Sequence, residues 1–141
     1  AMEPVGVDVV VDDGDTVRTE TATLTALATP GHSPGALSWT WQSCDAAGDC
    51  LDIVYADSLS PVSSDDYRFA DHPGYVAAYR AGLQTLREVD CDLLITPHPS
   101  ASKMVERAAG GSLVGGMSCS QYADAIEARL DKRLAKERGG E

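Results

Sequence analysis

Basic residues are scarce in this sequence: 11 Lys plus Arg stand against 22 Asp plus Glu, a net charge of −11. Phosphate contacts need clustered Lys and Arg, so this deficit argues against nucleic acid as a partner. It argues equally against an anionic membrane surface. No apolar run approaches the ~20 residues that cross a bilayer. The start, AMEPVGVDVVVDDGD, lacks the basic segment and apolar segment that make a secretory signal. Ala1-Met2 reads as a cut end, so this lack says nothing about the source protein. There is no C-x-x-C pair and no repeat. What remains is 141 residues, 43% apolar and 23% charged, which is one globular domain.

Four cysteines stand at positions 44, 50, 91 and 119. The C-x5-C spacing does not fit a zinc knuckle. Two disulfides, Cys44–Cys50 and Cys91–Cys119, are the preferred reading, because DAAGD between the first two cysteines reads as a turn. Three connectivities are possible, and the sequence does not choose between them. Four buried thiols in a reducing compartment are the alternative. Disulfides would place the protein in an oxidising compartment, periplasmic or secreted.

Val7–Val11 is a short β-branched run with strand character, followed by a turn at Asp12–Asp15. Thr16–Ala28 suits strands, and Thr29–Gly35 is a loop. Ala36–Ser43 reads as a strand with Leu37, Trp39 and Trp41 on one face, and Leu51–Ala56 as its hairpin partner. Asp57–Asp71 is a polar loop. A helix follows with Asp71 as N-cap and Val76, Tyr79, Leu83 and Leu86 on its apolar stripe. Cys91–Thr96 reads as a buried strand that ends at Pro97-His98-Pro99. Gly110–Gly116 reads as a flexible linker. Gln121–Arg138 reads as a helix with the stripe Tyr122, Ile126, Leu130 and Leu134, opened by a capping box of Ser118 and Gln121. The expected class is α/β, a mixed or antiparallel sheet covered by helices on one side. Such a sheet keeps an uncovered face or edge, so residues 1–141 read as half of a larger structure.

Two of the three histidines lie in loops at strand ends, where chemistry is commonly placed. His32 sits in Thr29-Pro30-Gly31-His32-Ser33-Pro34-Gly35, and His98 in Ile95-Thr96-Pro97-His98-Pro99. Prolines fix the backbone beside each imidazole and glycines let the chain turn tightly. A metal ligand needs that kind of fixed direction; a loop histidine bonded to a carbonyl is the alternative. His72, before Pro73 at a helix start, reads as a surface residue.

TPGHSPG followed by a Trp-bearing strand, then YADSLS, then LLITPHPS, occur in that order. Together they resemble the C-terminal half of a class B metallo-β-lactamase, most closely the third subclass, over nearly the whole chain. The resemblance implies half of a four-layered αββα sandwich. It implies that His32 is a ligand of the first of two zinc ions and His98 of the second. Ser58 and Ser60 match serines that contact the substrate carboxylate. Cys91–Cys119 and Cys44–Cys50 match bridges found in the subclass. It further implies hydrolysis of the β-lactam ring of antibiotics by a zinc-activated hydroxide in the complete protein.

The family signature H-x-H-x-D-H, which supplies the other ligands, is absent from this sequence. One imidazole per metal falls short of the three or four protein ligands a tight zinc site takes. The chain alone is therefore expected to be inactive. Its partner is expected to be the missing N-terminal half, or a second copy pairing through the exposed sheet face. A second resemblance is to glyoxalase-type thioesterases of the same superfamily, in which Asp57 would take a metal-bridging role. A non-catalytic half-domain that assembles with a partner is the third reading.

Overall fold

The structure is a computed structural model that describes residues 6–64 and 66–139. Ala1-Met2, read above as a cut end, lies outside them. Five strands form one sheet in the order β1-β2-β3-β4-β5. They are β1 (Thr16–Arg18), β2 (Thr23–Ala28), β3 (Leu37–Cys44), β4 (Cys50–Tyr55) and β5 (Leu93–Ile95). β1 to β4 pair antiparallel in sequence order, and β5 adds parallel to β4. Among the described residues three α-helices join the sheet, α1 (Pro73–Glu88), α2 (Met104–Ala109) and α3 (Cys119–Gly139), with short 3-10 turns at Phe69–Asp71 and Pro99–Ser102. The mixed sheet with helices matches the expected class.

The register separates the two faces of the sheet, since residues directly opposite share a face. One row runs Thr25, Thr40, Val54, Leu94. Val54 and Leu94 are buried in the core with Tyr79, Leu83 and Leu86 of α1 and Tyr122, Ile126 and Leu130 of α3. The next row, Ala26, Trp39, Tyr55 and Ile95, lies on the opposite face. Alternation adds Leu24, Leu37, Trp41, Ile53 and Leu93 to that face. None of these belongs to the core that the helices share, and Trp39, Trp41, Ile53, Tyr55, Leu93 and Ile95 are half-buried. The sheet thus carries an apolar face without a helical cover, as the half-sandwich expectation requires.

Both helix stripes pack as their spacing predicts. Tyr79, Leu83 and Leu86 are fully buried, each such side chain contributing roughly 1.5–3 kcal/mol. The capping box of α3 is closed in both directions: the Gln121 N–H donates to Ser118 Oγ at 3.1 Å, and the Ser118 N–H to Gln121 Oε1 at 3.0 Å. Arg80 and Arg87 of α1 pair with Glu127, Asp124 and Asp131 of α3 along the seam. These pairs are partly exposed and contribute only tenths of a kcal/mol each.

Several expectations need correction. Val7–Val11 forms no strand, and its Val7, Val9 and Val10 are exposed. β-branching favours a strand only where a neighbour offers a ladder. Asp71 is not the N-cap of α1. It closes a short 3-10 helix, Phe69–Asp71, and His72 takes the cap position without a side-chain bond. Pro73, with its preset φ and no N–H, occupies the first helical turn and moves the cap one residue on. Cys91–Thr96 contracts to the three residues of β5, of which only Leu94 is buried, because the other side chains face the open side. Gly110–Gly116 is tied down, not free. Arg107, on the unforeseen α2, donates from Nη1 to the Leu94 carbonyl at 2.9 Å and from Nη2 to the Leu113 carbonyl. The Gly115 N–H donates to the Asp92 carbonyl at 3.3 Å.

Both preferred disulfides are present. Cys44–Cys50 closes the β3–β4 hairpin, and Cys91–Cys119 joins the approach to β5 to the start of α3. Among the described residues no cysteine is free.

Candidate functional site

Strand directions fix where the loops emerge. β2 is antiparallel to β3, β3 antiparallel to β4, and β4 parallel to β5. Hence β2, β4 and β5 point the same way, and their C-terminal ends open on one edge of the sheet. The loop after β2 carries His32, the segment after β4 carries Ser58 and Ser60, and the turn after β5 carries His98. The four candidate residues thus share one rim. His32 and His98 are exposed, Ser58 and Ser60 half-buried.

Buried hydroxyls fasten these loops to the scaffold. Ser38 of β3 is fully buried, and its Oγ bonds Thr29 Oγ1 at 2.7 Å and accepts the Asp57 N–H at 3.0 Å. One side chain therefore clamps the root of the His32 loop to the root of the serine segment. Thr96 braces the third loop from within, with Oγ1 donating to the His98 carbonyl at 2.9 Å and bonding Ser102 Oγ at 2.8 Å. Asp57 Oδ1 accepts the Ser58 N–H at 2.7 Å.

Three tyrosines hold the same loops from the helix side. Tyr75 donates to the Gly31 carbonyl at 2.8 Å, Tyr79 to the Leu59 carbonyl, and Tyr122 to the Asp57 carbonyl at 3.3 Å. Each carbonyl lies beside a candidate residue: His32, Ser58 and Ser60, or Ser58 alone. Burial, reinforced by neighbouring phenols, pushes Tyr79 and Tyr75 above the ordinary tyrosine value. Burial likewise raises Tyr122. All three remain protonated donors at neutral pH. Gly31 leaves no room for a side chain, since a Cβ there would sit 2.8 Å from Leu59 Cδ2 and 3.0 Å from the Tyr79 ring.

Beside His32 lies a groove of about 300 Å³, walled by Pro34, Val62, Tyr67, Phe69 and Tyr75. His72 is exposed and stacks on Tyr67 with ring centroids 4.6 Å apart, in line with its reading as a surface residue.

The residues present do not make a complete metal site. Among the described residues no three His, Cys, Asp or Glu side chains come together to hold an ion. A closed or catalytic zinc site takes at least three protein ligands. The rim offers one imidazole on the β2 loop and one on the β5 turn. Ser38, Thr96 and the three tyrosines were not foreseen as site residues. Tyr75 and Tyr79, four apart on one helix, carried the one available signal, because a hydroxyl on a buried stripe needs an acceptor.

No protein-family model matches the sequence. Solved structures do. The chain is similar to the metallo-β-lactamase MIM-1 from Novosphingobium pentaromativorans, with 47% identity and a TM-score of 0.90, covering 98% of this chain and 51% of that one. It is similar to the metallo-β-lactamase MIM-2, with 55% identity and a TM-score of 0.83 over 90% of this chain and 47% of that one. It is also similar to BJP-1 of Bradyrhizobium japonicum, a subclass B3 enzyme, with 30% identity and a TM-score of 0.84 over 99% of this chain and 55% of that one. Fold and rim together define a piece of a metallo-β-lactamase. Within that family the chain belongs with the third subclass, B3, and it spans about half the length of the structures it matches.

Proposed function

We propose that this chain is the C-terminal half of a zinc-dependent β-lactamase, and that the complete protein opens the β-lactam ring of antibiotics. The observation that carries the reading is the shared rim. Three separate loops, each bearing a family-matched residue, emerge on one sheet edge and are clamped there by buried hydroxyls. In this reading His32 is a ligand of the first zinc and His98 of the second. Ser58 and Ser60 donate hydrogen bonds to the substrate carboxylate and form no covalent intermediate. The half that carries H-x-H-x-D-H packs on the open face of Trp39, Trp41 and Ile95, and the chain alone is inactive. The two disulfides support a periplasmic or secreted location.

Mixing the folded chain with a folded N-terminal half tests the reading. Turnover of a chromogenic cephalosporin is expected only in the mixture, and His32→Ala in this half is expected to abolish it. No turnover with both halves folded and associated would refute it. Zinc titration by calorimetry is expected to show no sub-micromolar site in the chain alone. Two such sites would overturn the half-site argument. For the thioesterase alternative the outcome hinges on Asp57, whose Oδ1 accepts the N–H of Ser58. A loss of activity in Asp57→Asn with thioester turnover in the wild-type mixture would favour that alternative.

A further inference from the structure

Gly82 is buried in the middle of α1. Glycine weakens a helix interior relative to alanine, because it has more backbone freedom to lose. Close packing accounts for it here. A Cβ at Gly82 would sit 2.9 Å from Thr29 Cα, 3.3 Å from the Ala28 carbonyl oxygen and 3.4 Å from Pro30 Cδ. The nearest of these atoms is backbone, so it cannot swing aside as the end of a side chain can. Thr29 is also held from its other sides. It is fully buried, its N–H donates to the Ala36 carbonyl at 3.0 Å, and its Oγ1 bonds Ser38 Oγ at 2.7 Å.

Two more residues of α1 meet the same stretch of chain. Tyr75, Tyr79 and Gly82 are spaced four and three apart, so they share one face of the helix. Tyr75 donates to the Gly31 carbonyl at 2.8 Å, the Tyr79 ring closes on Gly31, and Gly82 lies against Thr29. The helix face thus touches the loop on both sides of Pro30, and His32 is the next residue along the chain. Ser38 Oγ, bonded to Thr29, also accepts the Asp57 N–H at 3.0 Å, so the contact extends to the root of the serine segment.

We infer that this face of α1 sets the position of the His32 loop, and that Gly82 is a positioning residue for His32. The missing side chain fixes how closely the helix approaches the loop root. A methyl group at position 82 has two ways out. The helix withdraws and pulls Tyr75 from the Gly31 carbonyl, or the loop root lifts against Ser38. Either displaces His32. The inference rests on the proposed function only for what His32 does in the complete protein.

The test compares NMR spectra of the 141-residue chain carrying Gly82→Ala or Gly74→Ala. Gly74 lies on the same helix, is exposed, and would place its Cβ with no heavy atom within 4 Å. Gly82→Ala is expected to move the amide signals of Thr29, Gly31 and Asp57 and the ring signals of His32. Gly74→Ala is expected to leave all of these in place. Tyr75→Phe removes one hydroxyl at the other end of the face, and it should move Gly31 and His32. In the mixture with the folded N-terminal half, Gly82→Ala is expected to lower kcat about tenfold, and by more than it raises KM. Unmoved His32 signals in Gly82→Ala, or equal shifts from Gly74→Ala, would overturn the inference. So would an unchanged kcat with the loop displaced. If Gly82→Ala does not fold, unmoved Gly31 and His32 signals in Tyr75→Phe overturn it instead. A wild-type mixture without turnover refutes the proposed reaction, and the spectra of the chain still decide the inference.

Discussion

Ser38→Ala is the sharpest probe of how the rim is built. The hydroxyl is fully buried and serves two loops at once, bonding Thr29 Oγ1 at 2.7 Å and the Asp57 N–H at 3.0 Å. Removing it deletes one small polar atom and leaves almost no cavity, so packing changes little. Each net hydrogen bond contributes about 0.5–1.5 kcal/mol, and a half-buried N–H left without an acceptor costs about 1–3 kcal/mol more. The Thr29 hydroxyl rotates and recovers part of its loss; the Asp57 amide, fixed by the backbone, does not. The expected destabilisation is roughly 2–4 kcal/mol in urea unfolding followed by circular dichroism. Amide exchange at Asp57 should accelerate. A double-mutant cycle with Thr29→Val should show a coupling of about 1 kcal/mol, since the two hydroxyls share one bond. A loss below about 0.5 kcal/mol with unchanged Asp57 protection would refute the clamp.

Gly31→Ala should cost about 1–3 kcal/mol by forcing Leu59 and Tyr79 aside, and should shift both resonances; an unchanged midpoint would contradict the close approach. Removing Cys91–Cys119, with its 28-residue separation, should cost roughly 3.6 kcal/mol on loop entropy, and removing Cys44–Cys50, separated by 6, roughly 2.2. Paired Cys→Ser variants compared by thermal unfolding check that order, and the reverse order would contradict it. Burial pushes the Glu137 carboxyl up, but the Arg133 guanidinium and the Ala70 and Phe69 amides outweigh burial and hold it below the ordinary range. A depressed folded value means its stabilisation is present above about pH 4.3 and is lost as pH falls through the folded value. Glu137→Gln should flatten the acid limb of the stability profile, and an identical acid limb would rule the carboxylate out. Arg107→Ala should loosen 110–116 and accelerate amide exchange there before anywhere else; uniform acceleration across the chain would refute its tethering role.

The parts of the fold that declared themselves in the sequence are those whose local signals agree with their packing. α3 has a capping box and an unbroken stripe from Tyr122 to Leu134, and it forms as its pattern dictates. The hairpin declared itself through DAAGD between two cysteines. α2 did not, because six residues, MVERAA, hold too few turns for a periodicity, and its anchor is a buried arginine. The open face was only half legible. Leu37, Trp39 and Trp41 alternate plainly, but alternation does not say which face the helices choose. Helices took the face of Ser38, Val54 and Leu94, leaving the tryptophans outward. At the rim, His32 and His98 stood out through their proline and glycine flanks. Ser38 and the tyrosines that brace them carry no mark of their own, since their partners lie in other segments.

The single parallel pairing, β5 beside β4, divides the labour of the sheet between its two ends. At one end the chain turns back at once, and the tip of the β3–β4 hairpin is stitched by Cys44–Cys50. Length or sequence changes at that tip are spent far from the histidines. At the other end three excursions start from neighbouring strands, so lengthening any of them remodels the same few ångströms of surface. New selectivity in a relative of this protein should therefore be sought in insertions after Ala28, Tyr55 and Ile95, with the sheet beneath them left unaltered.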